Sequence, residues 1–157
     1  MKALIAHVRG LPSCRVQPSA GQPESFGHKL PDDLHEFYDE CGGIDLFVDS
    51  SYGLRLVSPG EFLRANPVIR GCLGEDDMSY DWFIVAKNAE QYITIDLGNE
   101  RCGRCYDSFW DRHALRGQSQ IIAMSFTELF VSLVKSEGKY WYWLRQRGRT
   151  YGDAYDM

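Results

Sequence analysis

Residues 30–43, Leu-Pro-Asp-Asp-Leu-His-Glu-Phe-Tyr-Asp-Glu-Cys-Gly-Gly, decide the fold because they specify one short helix and the face that it buries. Pro31 fits the first helical position, where its missing N–H would have no partner. Apolar side chains then recur every three or four residues, as in one buried helical stripe. The stripe consists of Leu34, Phe37, Tyr38 and Cys41. Because Gly42 and Gly43 supply the left-handed residue that ends a helix, we predict a helix over residues 31–41.

The opposite face of this helix is acidic. No lysine or arginine lies among residues 31–43. The acidic side chains of the face are Asp32, Asp33, Glu36, Asp39 and Glu40. The first two also place negative charge against the positive end of the helix dipole. The pattern predicts an anionic surface that faces solvent and would attract a basic partner.

The rest of the chain alternates short apolar runs with turn residues, as in an antiparallel sheet. We predict strands over residues 44–48, 54–57, 82–87, 92–97, 105–109 and 121–123. We predict helices over residues 1–9, from Ser58 to Asn66-Pro67, and after Ser125, with a last turn over 140–145. Loops are predicted over residues 10–25 and 71–80, and a loose tail from about Gly148. The predicted class is α+β, an antiparallel sheet of about five or six strands with helices mainly on one side and at the ends.

Residues 30–43, with Leu46-Phe47 after them, resemble the opening signature of the SUKH superfamily. That superfamily includes the yeast cell-wall-assembly regulator family and many bacterial immunity proteins. The resemblance continues in order through residues 58–62, 82–86, 93–97, 105–107 and 123–129. It therefore covers about residues 25–135 and implies a SUKH-like fold.

Length and composition limit the possible classes. With 157 residues, 44% of them hydrophobic, the chain fits one domain over residues 1–157. His7 and Arg9 interrupt the start before an apolar run of signal-peptide length, and no stretch reaches the roughly 20 apolar residues of a membrane helix. The five cysteines are odd in number. We therefore expect a cytoplasmic protein with reduced thiols and no membrane partner.

Acidic charge is concentrated in the middle of the sequence. The net charge is −5, but residues 31–96 hold fourteen acidic and four basic side chains, whereas residues 1–30 balance at +3 and residues 97–157 at +2. Such a field repels nucleic-acid phosphates and attracts a basic protein surface. A plain solvated surface is the alternative explanation of the same charge.

The densest acidic segment is residues 75–81, Glu-Asp-Asp-Met-Ser-Tyr-Asp. Its carboxylates suit pairing with arginine and lysine of a partner, and its aromatic ring supplies contact area. The first-choice contact residues are Glu75, Asp76, Asp77, Tyr80 and Asp81. The acidic helix face is the second choice. A calcium loop is one rival, although EF-hand spacing and the distal glutamate are missing, and a solvated loop is the other.

Cys102 and Cys105 have the spacing of half a zinc site or of a redox dithiol. The other cysteines and histidines contain no second close pair. A turn before a strand, with Cys105 as a small buried residue, is the simpler explanation. We expect no metal, no cofactor and no catalytic residue.

Residues 140–143, Tyr-Trp-Tyr-Trp, lie among basic side chains. These are Lys139, Arg145, Arg147 and Arg149. Such a segment would suit stacking on single-stranded nucleic acid, or it closes the bottom of a small core. The acidic net field favours the second interpretation.

The resemblance implies a cytoplasmic immunity protein that binds a cognate bacterial toxin, a nuclease among the candidates, and blocks it sterically. No catalysis is needed. The alternatives are a regulatory or scaffolding module that binds a resident protein, as the yeast relatives imply, and a small metal-dependent enzyme built around Cys102 and Cys105. The resemblance carries over no contact residues, because immunity proteins of this scaffold meet different toxins. The contact residues named above rest on charge.

Overall fold

Each strand of the protein pairs with the next strand in the chain, so the sheet is an antiparallel meander. The computed structural model describes residues 1–144 and 150–156. Its strands are β1 (Arg15–Val16), β2 (Ile44–Leu46), β3 (Leu54–Leu56), β4 (Trp82–Asn88), β5 (Gln91–Asp96), β6 (Cys105–Asp107) and β7 (Ile121–Ala123). Its helices are α1 (Lys2–Arg9), α2 (Asp32–Glu40), α3 (Ala65–Ile69) and α4 (Phe126–Lys135). Single 3-10 turns cover Pro59–Glu61, Met78–Asp81 and Tyr142–Leu144.

The predicted α+β class is confirmed. Within the described residues the sheet has seven strands in chain order, against the five or six expected. The additional strand is β1, which lies in the segment predicted as a loop. Its two residues pair with Asp45 and Ile44 of β2, and so short a strand leaves no alternating pattern in a sequence.

Helix α2 buries the predicted stripe but ends differently from the prediction. Leu34, Phe37 and Tyr38 are all buried. Pro31 precedes the first helical residue, and Cys41 ends the helix in an extended conformation with φ −155°. The two glycines allow the backbone to pack closely against neighbouring segments. A Cβ at Gly42 would clash with a backbone oxygen of Pro18, and a Cβ at Gly43 would lie 2.8 Å from that of Leu56.

The predicted helix from Ser58 to Asn66-Pro67 is wrong. The Ser58–Glu61 capping box forms, but it starts only one 3-10 turn. A separate helix, α3, then begins at Ala65 and includes Pro67 at its third position. Proline is compatible with that position, because the first N–H groups of a helix have no partner within it.

An aromatic column joins the helices to the sheet. Its members are Phe126 of α4, Phe37 and Tyr38 of α2, Phe62, and Phe83 of β4. Successive ring centroids lie 4.9, 5.1, 6.1 and 5.2 Å apart, and every member is at most 1% exposed. The Tyr38 hydroxyl donates a hydrogen bond to the Val57 carbonyl oxygen at 2.9 Å, so its polar end is also satisfied. Burial raises the pKa of this hydroxyl far above its ordinary value.

Trp82 precedes Phe83 and therefore points to the other face of the sheet. Its ring stacks on Tyr106 with centroids 4.2 Å apart. The Trp82 indole N–H and the Tyr106 hydroxyl both donate to the Asp96 carboxylate, at 3.0 and 2.7 Å, and Arg101 pairs with it at 3.0 Å. Burial raises the pKa of Asp96 despite these partners. Side chains on this face of the sheet are therefore also buried, and the Asp96 carboxylate links β4, β5 and β6 there.

The tail does not match its prediction where it is described. Residues 150–156 pack beside β7. The Tyr151 N–H donates to the Ile121 carbonyl oxygen at 2.9 Å, and the Ile121 N–H donates to the Gly152 carbonyl oxygen at 2.8 Å. Ala154 is only 1% exposed. An edge strand has unpaired backbone groups, and this segment satisfies them. Gly148 lies outside the described residues.

Substitution of Phe37 by alanine tests the aromatic column. Phe37→Ala should lower the free energy of unfolding by about 3 kcal/mol or more, because it leaves a cavity among rings that cannot close in. Chemical denaturation measures the change. The control Glu36→Ala, on the exposed side of α2, should change stability by less than about 1 kcal/mol. Equal losses in the two variants would contradict the docking of α2.

Candidate partner-binding surface

The first-choice contact residues differ in their exposure and in their contacts within the protein. Asp77 is used by the fold, since its carboxylate accepts hydrogen bonds from the Ser79 N–H at 2.8 Å and from the Tyr155 hydroxyl at 2.7 Å. Burial opposes the charge of this carboxylate, but these hydrogen bonds outweigh it and lower the pKa of Asp77. Glu75 and Asp76 are exposed. Among the described residues, neither of their side chains has a hydrogen-bond or ion-pair partner. We call residues 75–76 the acidic loop.

Tyr80 and Asp81 are also engaged within the protein. The Arg64 guanidinium lies 4.1 Å from the centroid of the Tyr80 ring and donates to the Tyr80 carbonyl at 2.5 Å. Asp81 lies 3.3 Å from His28. Both residues are half-buried. They are therefore less accessible to a partner than Glu75 and Asp76.

Each acidic side chain on the α2 face has a partner within the protein. Ion pairs join Asp32 to Lys29, Glu36 to the Met1 amine and Glu40 to Lys2, at 3.5–3.8 Å. Asp39 lies 3.3 Å from His35, one turn earlier in the same helix. Asp33 accepts hydrogen bonds from the N–H and hydroxyl of Thr127, at 2.7 and 2.9 Å, and so caps the first turn of α4. The basic N-terminal segment therefore offsets much of the charge that the sequence assigned to this face.

Arg64 connects the aromatic column to the surface. Its guanidinium lies 5.2 Å from the centroid of Phe83 and 5.4 Å from that of Phe26, in addition to Tyr80. Phe26 stacks on Phe83 at 6.3 Å and is 57% exposed. Its backbone has φ 52°, which is uncommon for a residue with a side chain. The surrounding contacts hold this ring at the surface.

An open depression of about 560 Å³ lies beside Phe26 and Tyr80. Its remaining apolar walls are Leu63, Pro67, Val68 and Leu73. Leu63, Val68 and Leu73 are 44–46% exposed. We call this depression the apolar groove. The sequence did not predict this groove, because Leu63, Val68 and Leu73 lie five residues apart, a spacing that matches neither the helical nor the strand period.

Asn66 fixes the relation between the apolar groove and the acidic loop. Its amide nitrogen donates to the Leu73 carbonyl at 2.9 Å and to the Ser79 hydroxyl at 3.0 Å. Its amide oxygen lies 2.7 Å from Nε2 of His113. Because that oxygen is an acceptor, Nε2 of His113 carries the proton and Nδ1 is left as a buried acceptor with no partner among the described residues. Burial and the charge of Arg70 lower the pKa of His113 to about 4.

A second depression, of about 510 Å³, lies beside β3. Its charges are already paired. Arg55 lies 2.7 Å from Asp45 and 3.2 Å from Glu61, and Lys87 lies 2.9 Å from Glu61. Burial opposes ionisation of Glu61, but Lys87 and the Ser58 hydrogen bonds lower its pKa to about 2. In the part of the chain that the structure describes, Arg55, Lys87, Asp45 and Glu61 thus pair with one another.

Cys102 lies in the turn between β5 and β6, and Cys105 is the first residue of β6. Cys105 is buried and Cys102 is exposed, and burial raises the pKa of both thiols. Thiols with raised pKa values are poor nucleophiles at neutral pH. Among the described residues, no group of three or more His, Cys, Asp or Glu side chains is arranged to hold a metal ion.

The aromatic segment near the C-terminus packs against the protein. Trp143 is 4% exposed and donates to the Asp107 carboxylate at 3.2 Å. Trp141 packs against Phe109 with centroids 5.0 Å apart. Arg145, Arg147 and Arg149 lie outside the described residues. In residues 1–144 and 150–156, no helix has the length and apolar character needed to cross a membrane.

Comparison with known proteins adds two findings. A family model described as SMI1 / KNR4 family (SUKH-1) matches residues 23–132. That range contains α2, the apolar groove and the acidic loop. The Bacillus subtilis (strain 168) protein named Immunity protein YokJ is 45% identical over 155 residues, which covers 98% of this chain and 94% of that relative.

The depressed pKa of His113 predicts a pH-dependent stability. Between pH 7 and pH 5 an unfolded histidine, with pKa near 6.5, takes up a proton that folded His113, with pKa about 4, does not. Neutral His113 therefore contributes fully to the free energy of unfolding above about pH 6.5. This contribution is lost as the pH falls toward 4, and the free energy of unfolding should drop by about 2 kcal/mol between pH 7 and pH 5. Denaturation at several pH values should show this loss in the native protein and a shallower one in His113→Gln. Parallel curves would contradict the assignment, because His7, His28 and His35 are common to both proteins.

Proposed function

The chain belongs to the SMI1 / KNR4 family (SUKH-1), and from this membership we propose that it is an immunity protein, one that binds a cognate protein toxin and neutralises it. The observation that carries the proposal is the 45% identity, along nearly the whole length of both chains, with a relative named as an immunity protein. A likeness of this extent supports a shared role better than a likeness of fold alone.

Neutralisation by this protein is steric in our proposal. A bound protein that covers an active site or a substrate path blocks a toxin without any chemistry of its own. The raised pKa values of the Cys102 and Cys105 thiols argue against either cysteine as a nucleophile at neutral pH. The site of action is the bacterial cytoplasm, where the toxin would meet its target.

The toxin is expected to have a basic surface. Residues 31–96 carry a balance of −10, and a field of that sign accelerates association with a positively charged partner. A nuclease fits this description, because enzymes that bind nucleic acid present lysine and arginine to phosphates.

The acidic loop is our proposed charged contact. Glu75 and Asp76 are exposed and have no internal partner among the described residues, so a toxin can pair with them without breaking an existing bond. Asp77, Tyr80 and Asp81 are partly buried and already have partners within the protein. The acidic face of α2 is the second candidate, although a toxin there would compete with the ion pairs to Lys2 and Lys29.

The direct test is protection against the toxin encoded by the gene beside this one. Co-production of the chain should restore growth of cells that make the toxin, and the two purified proteins should form a complex on a sizing column. Growth arrest despite abundant folded chain, together with no complex, would contradict the proposed function.

Charge reversal in the acidic loop tests the proposed contact. Glu75→Lys combined with Asp76→Lys should slow association about tenfold at low salt and less at moderate salt, because exposed charges act mainly on encounter. Stopped-flow or surface binding kinetics measure the rates, and a thermal melt should be unchanged.

The matched control is Asp49→Lys with Glu90→Lys. These exposed carboxylates lie at the opposite end of β4, in turns beside Gly53 and Asn88, and their reversal changes the net charge equally. If both double variants slowed association alike, only net charge would matter. An unchanged rate in the Glu75 and Asp76 variant would remove the acidic loop from the interface.

A further inference from the structure

Exposed apolar side chains are concentrated at the apolar groove. Phe26, Leu63, Val68 and Leu73 have exposed fractions of 57, 44, 46 and 46% and line one depression. Contiguous exposed apolar surface on a monomer marks sites of interaction, whereas single exposed apolar residues are ordinary. The groove thus differs from isolated exposed residues such as Val48, which is 40% exposed in the turn after β2.

The groove is held in shape before any partner arrives. The Phe26 ring rests on buried Phe83, Arg64 lies over both rings, and Asn66 ties α3 to Leu73 and Ser79. A preformed surface loses little conformational freedom on binding. Phenylalanine, tyrosine and arginine are also the side chains enriched in the energetic centres of protein interfaces.

The charge beside the groove selects the kind of partner. Between Leu63 and Asp81 the chain carries four acidic and two basic side chains. The local net charge is therefore negative, although the Arg64 guanidinium lies against three rings and Arg70 lies near Asp77. Glu75 and Asp76 are the carboxylates of this segment that have no hydrogen-bond or ion-pair partner among the described residues. A second copy of the chain, docked on the same groove by twofold symmetry, would bring this acidic edge against itself. An apolar side chain flanked by lysine or arginine matches both parts of the surface.

We propose that the apolar groove is the docking site for the toxin, and that it takes an apolar side chain of the toxin whose lysine or arginine neighbours pair with the acidic loop. This inference rests on the proposed function. In this arrangement the apolar groove is the centre of the interface, and the acidic loop lies at its edge. Contacts at the centre govern dissociation, whereas charges at the rim govern association.

Val68→Arg tests the groove, and Val48→Arg is the matched control. The two valines have similar exposure, 46 and 40%, and receive the same new charge. Val68→Arg should weaken binding of the neighbouring gene's toxin about tenfold or more, mainly through faster dissociation, because a cation replaces an apolar wall where basic side chains arrive. Val48→Arg should change affinity by less than about twofold. Thermal melts establish that each variant is folded, and Leu73→Arg replaces Val68→Arg if the latter melts early.

The outcomes separate this inference from the proposed function. If native protein binds the toxin and all three arginine variants bind equally well, the groove is not the docking site and the proposed function stands. If native protein neither binds nor protects, both proposals fail together. If native protein alone is a dimer by light scattering and Val68→Arg is a monomer that still binds toxin, the groove is occupied by a second copy and the inference is wrong.

Discussion

The contact between Phe83 and its neighbours joins the buried interior to the surface. The Phe83 ring is fully buried and stacks on Phe62 at 5.2 Å on one side and on exposed Phe26 at 6.3 Å on the other. Arg64 lies over both Phe83 and Phe26. Because close-packed rings cannot tilt independently, the position of Phe26 depends on packing that extends back to Phe126 in α4. The core, and not the local loop alone, therefore sets the shape of the apolar groove.

The acidic side chains show why charge counted along a sequence overstates what a partner meets. Asp96 is a buried acceptor for two ring side chains, Asp33 caps α4, and Asp77 closes a turn against Tyr155. Each of these carboxylates stabilises the fold through hydrogen bonds to fixed donors. The exposed pair Glu75 and Asp76 has no such use within the described residues, so it contributes most directly to the field outside the protein.

The sequence predicted the elements whose signals are local. The stripe of α2 and the capped apolar face of α4 follow the helical period, and six strands were found near their predicted positions. The course of residues 10–25, the separate helix α3 and the packed segment 150–156 depend on pairing with distant residues, which no local pattern encodes. The apolar groove was missed for the same reason, since Phe26 and Leu73 become neighbours only after β4 is in place. The acidic loop was recognised, but the roles of Asp77 and Asp81 required knowledge of Tyr155 and His28.

Amide hydrogen exchange of the native protein, alone and with the toxin that the proposed function requires, locates the interface. The account predicts that toxin binding slows exchange in residues 63–81 and around Phe26, where the apolar groove and the acidic loop lie. It predicts no added protection in the turns around Asp49 and Glu90 at the opposite end of β4. Protection confined to α2, or to the cleft around Arg55, with unchanged exchange over residues 63–81, would contradict the account.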